Sequence, residues 1–209
     1  MPIPVQVAPV WNLIHDETVE VHAYWKLFNQ LFVASQDQFE LLNRSAGFCF
    51  HAIEDAISTD IQLTLSKLSD PAQSGANENA TVGYLLDEIQ RLRGPSPIDE
   101  LQHLCGTFTT SCQPIRARRN KMIAHADRAI ALRTAAPPPD ATVGQVNGAL
   151  LALRDFMNAV AICLDEPPTA YEHFIMRGEG GDDLVSLLRM AERYQVLQTE
   201  GTIPWSDLP

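Results

Sequence analysis

Phe48-Cys-Phe-His-Ala-Ile-Glu-Asp-Ala-Ile-Ser-Thr-Asp-Ile-Gln-Leu-Thr-Leu-Ser-Lys-Leu68, followed by Ser69-Asp70-Pro71, is the stretch on which the fold class turns. Its apolar members Phe48, Ala52, Ile53, Ala56, Ile57, Ile61, Leu65 and Leu68 recur every three or four residues, the spacing of one helix face, over about six turns. Pro71 ends the run, because proline has no N–H for the helical ladder and pushes the residue before it out of helical geometry.

The pattern repeats on both sides. Upstream, Val19, Trp25, Phe28, Leu31 and Phe32 keep helical spacing after Asp16 and Glu17, which suit the positive end of a helix dipole, and Ser35 caps a segment carrying Phe39, Leu41 and Leu42. Residues 1–14, with their prolines, read as an irregular arm. Downstream, residues 71–80 form a polar loop, Thr81 caps a helix through Leu85, Leu86 and Ile89, and Gly94-Pro95-Ser96-Pro97 breaks it. A long helix then carries Leu101, Leu104, Cys105, Phe108, Cys112, Ile115 and Met122, and residues 135–140 are a linker. Thr142 opens a further helix over 142–166 with Val146, Leu150, Leu153, Phe156, Met157, Val160 and Leu164. Residues 167–209 are less regular, with one short helix near Asp183–Arg193 and a tail bearing Trp205. No run alternates with period two. Short links between amphipathic helices imply an all-α antiparallel bundle, read as one domain over 1–209 with its core in 15–135 and an extra carboxy-terminal helical segment.

The 209 residues suffice to bury a core, and a hydrophobic share of 45% is ordinary for a globular chain. No stretch approaches the roughly 18 uninterrupted apolar residues of a membrane helix. The amino terminus lacks the basic and apolar regions of a secretory signal, so a cytoplasmic location is expected. Cys49, Cys105, Cys112 and Cys163 have no Cys-x-x-Cys spacing; they read as reduced core residues, and no metal or other cofactor is expected. His51 and His103, beside Phe50 and Leu104, read as core-edge histidines. Trp11, Trp25 and Trp205 read as core or interface packing.

A net charge of −11 excludes a general nucleic-acid coat protein. The local distribution differs. Arg116, Arg118, Arg119, Lys121, Arg128 and Arg133 face one acid, Asp127, so residues 116–133 carry six positive charges less one, a formal +5. Such a segregated patch concentrates an anionic ligand without making the whole surface adhesive.

Within it, Arg119 falls on the apolar stripe of the long helix, where a cation is costly unless paired. His125 lies six residues on. On an α-helix the two flank the inward line through Met122, about 60° to either side, with backbones about 9 Å apart along the axis. Neighbouring Arg118 and Lys121 favour the neutral, proton-accepting imidazole. Metal-free RNA cleavage needs these types: a base for the ribose 2′-hydroxyl, a donor for the leaving oxygen, and fixed cations around the phosphorane-like transition state. Arg119 and His125 are therefore the candidate catalytic pair. Asn120, Lys121, Arg118 and Arg116 are candidate RNA or phosphate contacts, and Asp127 is a supporting group for the ring. The plainer alternative makes Arg119 a structural ion-pair member with Asp60 as its acid.

Arg119-Asn120-Lys121-Met122-Ile123-Ala124-His125-Ala126-Asp127, late in a long helix, resembles the Arg/His motif of the HEPN superfamily. Phe28-x-x-x-Phe32, Leu41-Leu42-Asn43-Arg44, Phe48-x-Phe50 and Asp60-Ile61-x-Leu63-x-Leu65-Ser66-Lys67-Leu68-Ser69-Asp70-Pro71 resemble the AbiU-type abortive-infection group, over roughly residues 20–135. The resemblance implies a helical bundle that dimerises with two Arg/His motifs facing one another. It also implies a metal-independent endoribonuclease of phage-defence or toxin–antitoxin type, with RNA (tRNA or mRNA) as substrate and an antitoxin as a second partner. Lys67-Leu68 replaces the group's Arg-Leu before Asp-Pro, and Asp127 stands where some HEPN toxins carry a modifiable tyrosine. A non-catalytic HEPN module that binds RNA or a protein is the alternative.

Overall fold

The structure is a computed structural model that describes residues 3–93, 98–123, 128–173 and 180–203, without the side chain of Ile123. The fold is all-α: helices α1 (Ala8–Phe28), α2 (Gln36–Leu68), α3 (Val82–Arg93), α4 (Ile98–Ser111), α5 (Gln113–Arg118), α6 (Arg128–Ala131), α7 (Val143–Cys163) and α8 (Gly181–Thr199). Single π-helical turns occupy Asn29–Val33 and Arg119–Ile123, and a 3-10 turn covers Tyr171–His173. The loop expected over 71–80 holds a two-stranded antiparallel hairpin, β1 (Gln73–Ser74) and β2 (Asn77–Glu78), with Gln73 opposite Glu78 and Ser74 opposite Asn77. Gly75 at its tip takes φ +63°, the left-handed region that glycine enters without cost.

The chain divides into two compact units, residues 1–23 with 59–174 and residues 24–58 with 175–209. In the first, α4 lies against both α3 and α7, and Ile14, Ile61, Leu65, Leu85, Ile89, Leu101, Phe108, Leu153 and Phe156 are buried. Thr142 caps α7 by accepting the Gln145 N–H at 3.2 Å while Gln145 Oε1 accepts the Thr142 N–H at 2.9 Å. This helix is long and apolar enough, by length and composition, to cross a membrane. Half of its most apolar window is buried in the protein, and Arg154 at its middle pairs with Glu172 at 3.0 Å.

The second unit packs Leu31, Leu41, Leu42, Phe50 and Val185 together, with Leu27, Phe32, Ile53 and Leu188 around them. Gln38 holds the π turn from below, its amide donating to the Gln30 carbonyl. Gly181 sits where a Cβ would lie 2.8 Å from Gln30 Cβ and 3.0 Å from Leu31 Cγ, so α8 approaches the π turn as only glycine permits. Arg44 grips Glu192 through two nitrogens at 2.5 and 3.0 Å, and Arg189 reaches Asp37 at 3.0 Å.

Several expectations change. The arm over 1–14 is helical from Ala8: the Pro4 carbonyl accepts the Val7 and Ala8 N–H groups, and Pro9 stands in the first turn, where a missing donor costs nothing. Asp16 and Glu17 therefore lie inside α1. Phe48 is 89% exposed and Ala52 and Ala56 are exposed, while Phe50 is buried. Phe48 stands two residues before the buried Phe50, about 200° round the helix, so a stripe counted from Phe48 starts on the wrong face, while Ala46, at φ −158° and ψ 62°, interrupts α2 upstream of both. Cys49, His51 and His103 are exposed rather than core or core-edge. The short helix near Asp183–Arg193 is α8, 19 residues long. The break at Gly94–Pro97 and Trp205 lie outside the described residues.

Candidate functional site

The long helix expected from Asp99 to Met122 is three pieces. Pro114 has no N–H to give to the Thr110 carbonyl, so α4 stops at Ser111 and α5 restarts at Gln113 with proline in its first turn. Cys112 at the joint is fully buried, and burial pushes its thiol up to about 12 against the smaller downward pull of the neighbouring Ser69 and Ser111 hydroxyls. Ser69, itself buried, donates to the Ser66 carbonyl at 3.1 Å. Ile115 points into the core. The arginines beyond it lean back over the end of α2.

That lean decides what Arg119 meets. Its Nη2 donates to Asp70 Oδ1 at 2.6 Å, and Arg116 Nη2 approaches the same oxygen at 3.0 Å. The partner is thus Asp70, not Asp60, which is exposed on α2. The reason is positional. Asp70 lies just past the last turn of α2, where the chain reverses ahead of Pro71 and its carboxylate faces α5, whereas Asp60 lies more than two turns earlier. Arg118 turns the other way, with Nη2 2.5 Å from Asp140 Oδ1 and Nη1 3.3 Å from the Pro138 carbonyl, tying α5 to the linker. The Nε atoms of Arg116, Arg118 and Arg119 are shut from solvent, with no hydrogen-bond partner among the described residues. Arg119 is 18% exposed and Asp70 23%.

The π turn Arg119–Ile123 replaces α-helix where the wheel places Met122 inward, and Met122 is 39% exposed. Bonding each N–H five residues back widens the turn, so the 100° step does not carry across it. Asn120 and Lys121 are exposed on this turn and Arg128 on α6. His125 and Asp127 lie outside the described residues. Of the residues singled out in the sequence, the structure therefore brings Arg116 and Arg119 together on Asp70, sends Arg118 to Asp140, and leaves Asn120 and Lys121 facing outward. Asp70 and Asp140 reduce the local charge from +5 to +3, five less the two acids.

A family model for AbiU2, a HEPN group, matches residues 11–180. The chain belongs to the AbiU2 HEPN family. No curated protein and no solved structure matches. The AbiU2 match reaches beyond the 20–135 covered by the visible motifs: it takes in most of α1 and all of α7, which packs against α4. It also runs through the Ser69-Asp70-Pro71 turn and the Arg119 segment alike.

Sequence reasoning passed over two features. Asp70 was visible only as part of a pattern, its role hidden because 49 residues separate it from Arg119. His22, in the first unit, is buried: its Nδ1 lies 2.8 Å from the Thr18 carbonyl, and its ring packs 5.5 Å from that of Tyr171. The signal for His22 is its place one turn after Thr18 on the buried face of α1. Among the described residues no three His, Cys, Asp or Glu side chains gather to hold a metal ion.

Proposed function

We propose that this AbiU2 protein is a metal-independent endoribonuclease acting in the cytoplasm as a phage-defence or toxin–antitoxin effector. The observation that carries the reading is Arg119 itself: a half-buried guanidinium on a π turn, the rare backbone form found often at functional sites, inside the most basic segment of an acidic protein. In this reading His125 takes the proton of a ribose 2′-hydroxyl, whose oxygen attacks phosphorus. Arg119 stabilises the negative charge that develops on the phosphoryl oxygens. The P–O5′ bond breaks, the 5′ oxygen takes a proton from the His125 of a second copy, and a 2′,3′-cyclic phosphate remains. The protein works as a homodimer with its motifs face to face, Asn120 and Lys121 hold the RNA backbone, Arg116 and Arg118 shape the field behind them, and Asp127 supports the ring. The substrate is tRNA or mRNA, and an antitoxin restrains the activity.

The Arg119–Asp70 pair also favours a second reading, a non-catalytic HEPN module that binds RNA or a protein, because a guanidinium already facing a carboxylate has less charge to offer a transition state. Incubating the wild type, Arg119→Ala and His125→Ala with total RNA and with tRNA, chelator present, separates the two. Cleavage by the wild type alone supports the nuclease. Salt-sensitive binding with no products in any sample supports the module.

A further inference from the structure

We propose that Asp70 is the positioning residue of the site, presenting Arg119 to a phosphodiester rather than sealing it off. The inference rests on the nuclease reading.

The argument begins with how little of Arg119 is used. A guanidinium carries five N–H groups in a rigid fork, and a carboxylate that locks one takes two of them in parallel, as Glu192 does with Arg44. Asp70 does not. A single N–H of Arg119 reaches Oδ1, and that oxygen is shared with Arg116. Among the described residues the Arg119 side chain makes no other hydrogen bond, and its Nε is buried and unmatched. One N–H of the fork is thereby fixed in direction, while the other Nη N–H groups have no partner among the described residues.

Charge balance agrees. Two guanidinium groups brought onto one atom repel each other, and the carboxylate between them leaves the trio at two positive charges less one, a net +1. A single phosphodiester carries one negative charge, so the trio is matched to one phosphate. Without Asp70 the pair would be +2 and free to splay apart.

The turn that carries Asp70 is itself well anchored. Ser69 beside it is buried, donates to the Ser66 carbonyl at 3.1 Å and lies close enough to Cys112 to act on its thiol. The Asp70 N–H donates to the Lys67 carbonyl at 3.1 Å. Across Pro71, Asn79 donates from its side chain to the Pro71 carbonyl at 2.9 Å and from its backbone to the Ala72 carbonyl at 2.8 Å. Cys112 belongs to the α4–α5 joint, so the buried Ser69 sits between the turn that bears Asp70 and the element that leads to Arg119. Positioning within fractions of an ångström is what such a site requires, since a shift of about 1 Å can cost about 10²-fold in rate.

The test uses the full chain with Asp70→Asn and Asp70→Glu, assayed well below each variant's melting temperature on a defined single-stranded RNA. RNA affinity is measured separately in a His125→Ala background. Asp70→Asn is expected to lower kcat by about 10²-fold while KM stays level or falls, because the unpaired arginines hold RNA more tightly but in the wrong place. Asp70→Glu keeps the charge, and so the fold, but moves the carboxylate by one methylene; it is expected to lose kcat by at least about tenfold with little change in melting temperature. Wild-type kcat in either variant, or a faster Asp70→Asn, overturns the inference while leaving the nuclease reading intact, the faster variant meaning that the carboxylate is a lock. A wild type that cleaves nothing overturns the nuclease reading, and the inference falls with it.

Discussion

His22 and Asp70 are polar groups whose behaviour is set by what packs over them. The Thr18 carbonyl can only accept, so His22 Nδ1 carries the proton. Burial lowers the pKa of the ring below its ordinary 6.5, outweighing the upward pulls of the Thr18 carbonyl and Glu172, while Arg154 adds a smaller downward push. The unfolded chain therefore binds the extra proton first, and stability falls as pH drops from about 6.5 towards the folded-state pKa, by at most about 1.4 kcal/mol per pH unit. The paired carboxylates Glu172 and Glu192 are shifted below 4.5, so their contribution is present above that pH and is lost only as pH falls further. Melting curves at pH 7.5 and pH 5.0 should thus show a loss for the wild type, and His22→Gln should show a smaller one; equal slopes would remove His22 as the cause. For Asp70→Asn, two half-buried guanidinium groups lose their counter-charge, and a destabilisation of roughly 1–3 kcal/mol is expected in denaturant unfolding. Partial exposure of the trio places the value in the lower part of that range.

Helices in this protein end and bend for identifiable reasons, and each reason can be tested. Pro114 divides α4 from α5 and so lets the arginines lean towards Asp70. Gly181 admits α8 to within van der Waals contact of the π turn at Asn29–Val33, and Gly181→Ala should cost roughly 1–3 kcal/mol because backbone-near atoms of Gln30 and Leu31 must move. Gly148, exposed in α7 with nothing within 4 Å of a built Cβ, is the matched control: Gly148→Ala should stabilise by roughly 0.5–1 kcal/mol. Opposite signs in urea unfolding would confirm that the close approach, rather than helix propensity, fixes residue 181. Thr142→Ala, which removes the oxygen that accepts the Gln145 N–H, should cost about 1 kcal/mol. Elements were largely legible from spacing because a 3.6-residue period and a cap are local properties. Ser35 and Thr81, expected as caps, do accept the N–H groups of Gln38 and Tyr84, each at 3.2 Å. What spacing missed were the face of Phe48, two residues off the buried Phe50, and the π turn across Arg119–Ile123, since a counted stripe assumes the right starting residue and one uniform helix.

For the molecule as a whole, a net charge of −11 opposes RNA everywhere except the 116–133 segment, and Asp70 and Asp140 trim that segment further. Binding through so few cations should be weakly salt-dependent. Neutralising about three phosphates of a single strand gives a slope of log affinity against log salt of about −2, measurable by fluorescence anisotropy of a labelled RNA. A slope several-fold steeper would mean that a wider surface is engaged. The amino-acid sequence by itself determined the all-α class, the boundaries of α3 and α7, the end of α2 and the basic segment with its Arg119-to-His125 spacing, because hydrophobic period, proline and local charge act over a few residues. Membership of the HEPN family was also written there, in motifs from Phe28 to Asp127. Only the tertiary structure decided that Asp70 rather than Asp60 meets Arg119, that Arg118 goes to Asp140, and that Arg44 and Asp37 hold α8. Each of those partners lies about 20 to 150 residues away along the chain. A carboxylate finds its guanidinium by where a helix stops and how the next one leans, and those angles are set by packing across the core, which no local pattern encodes.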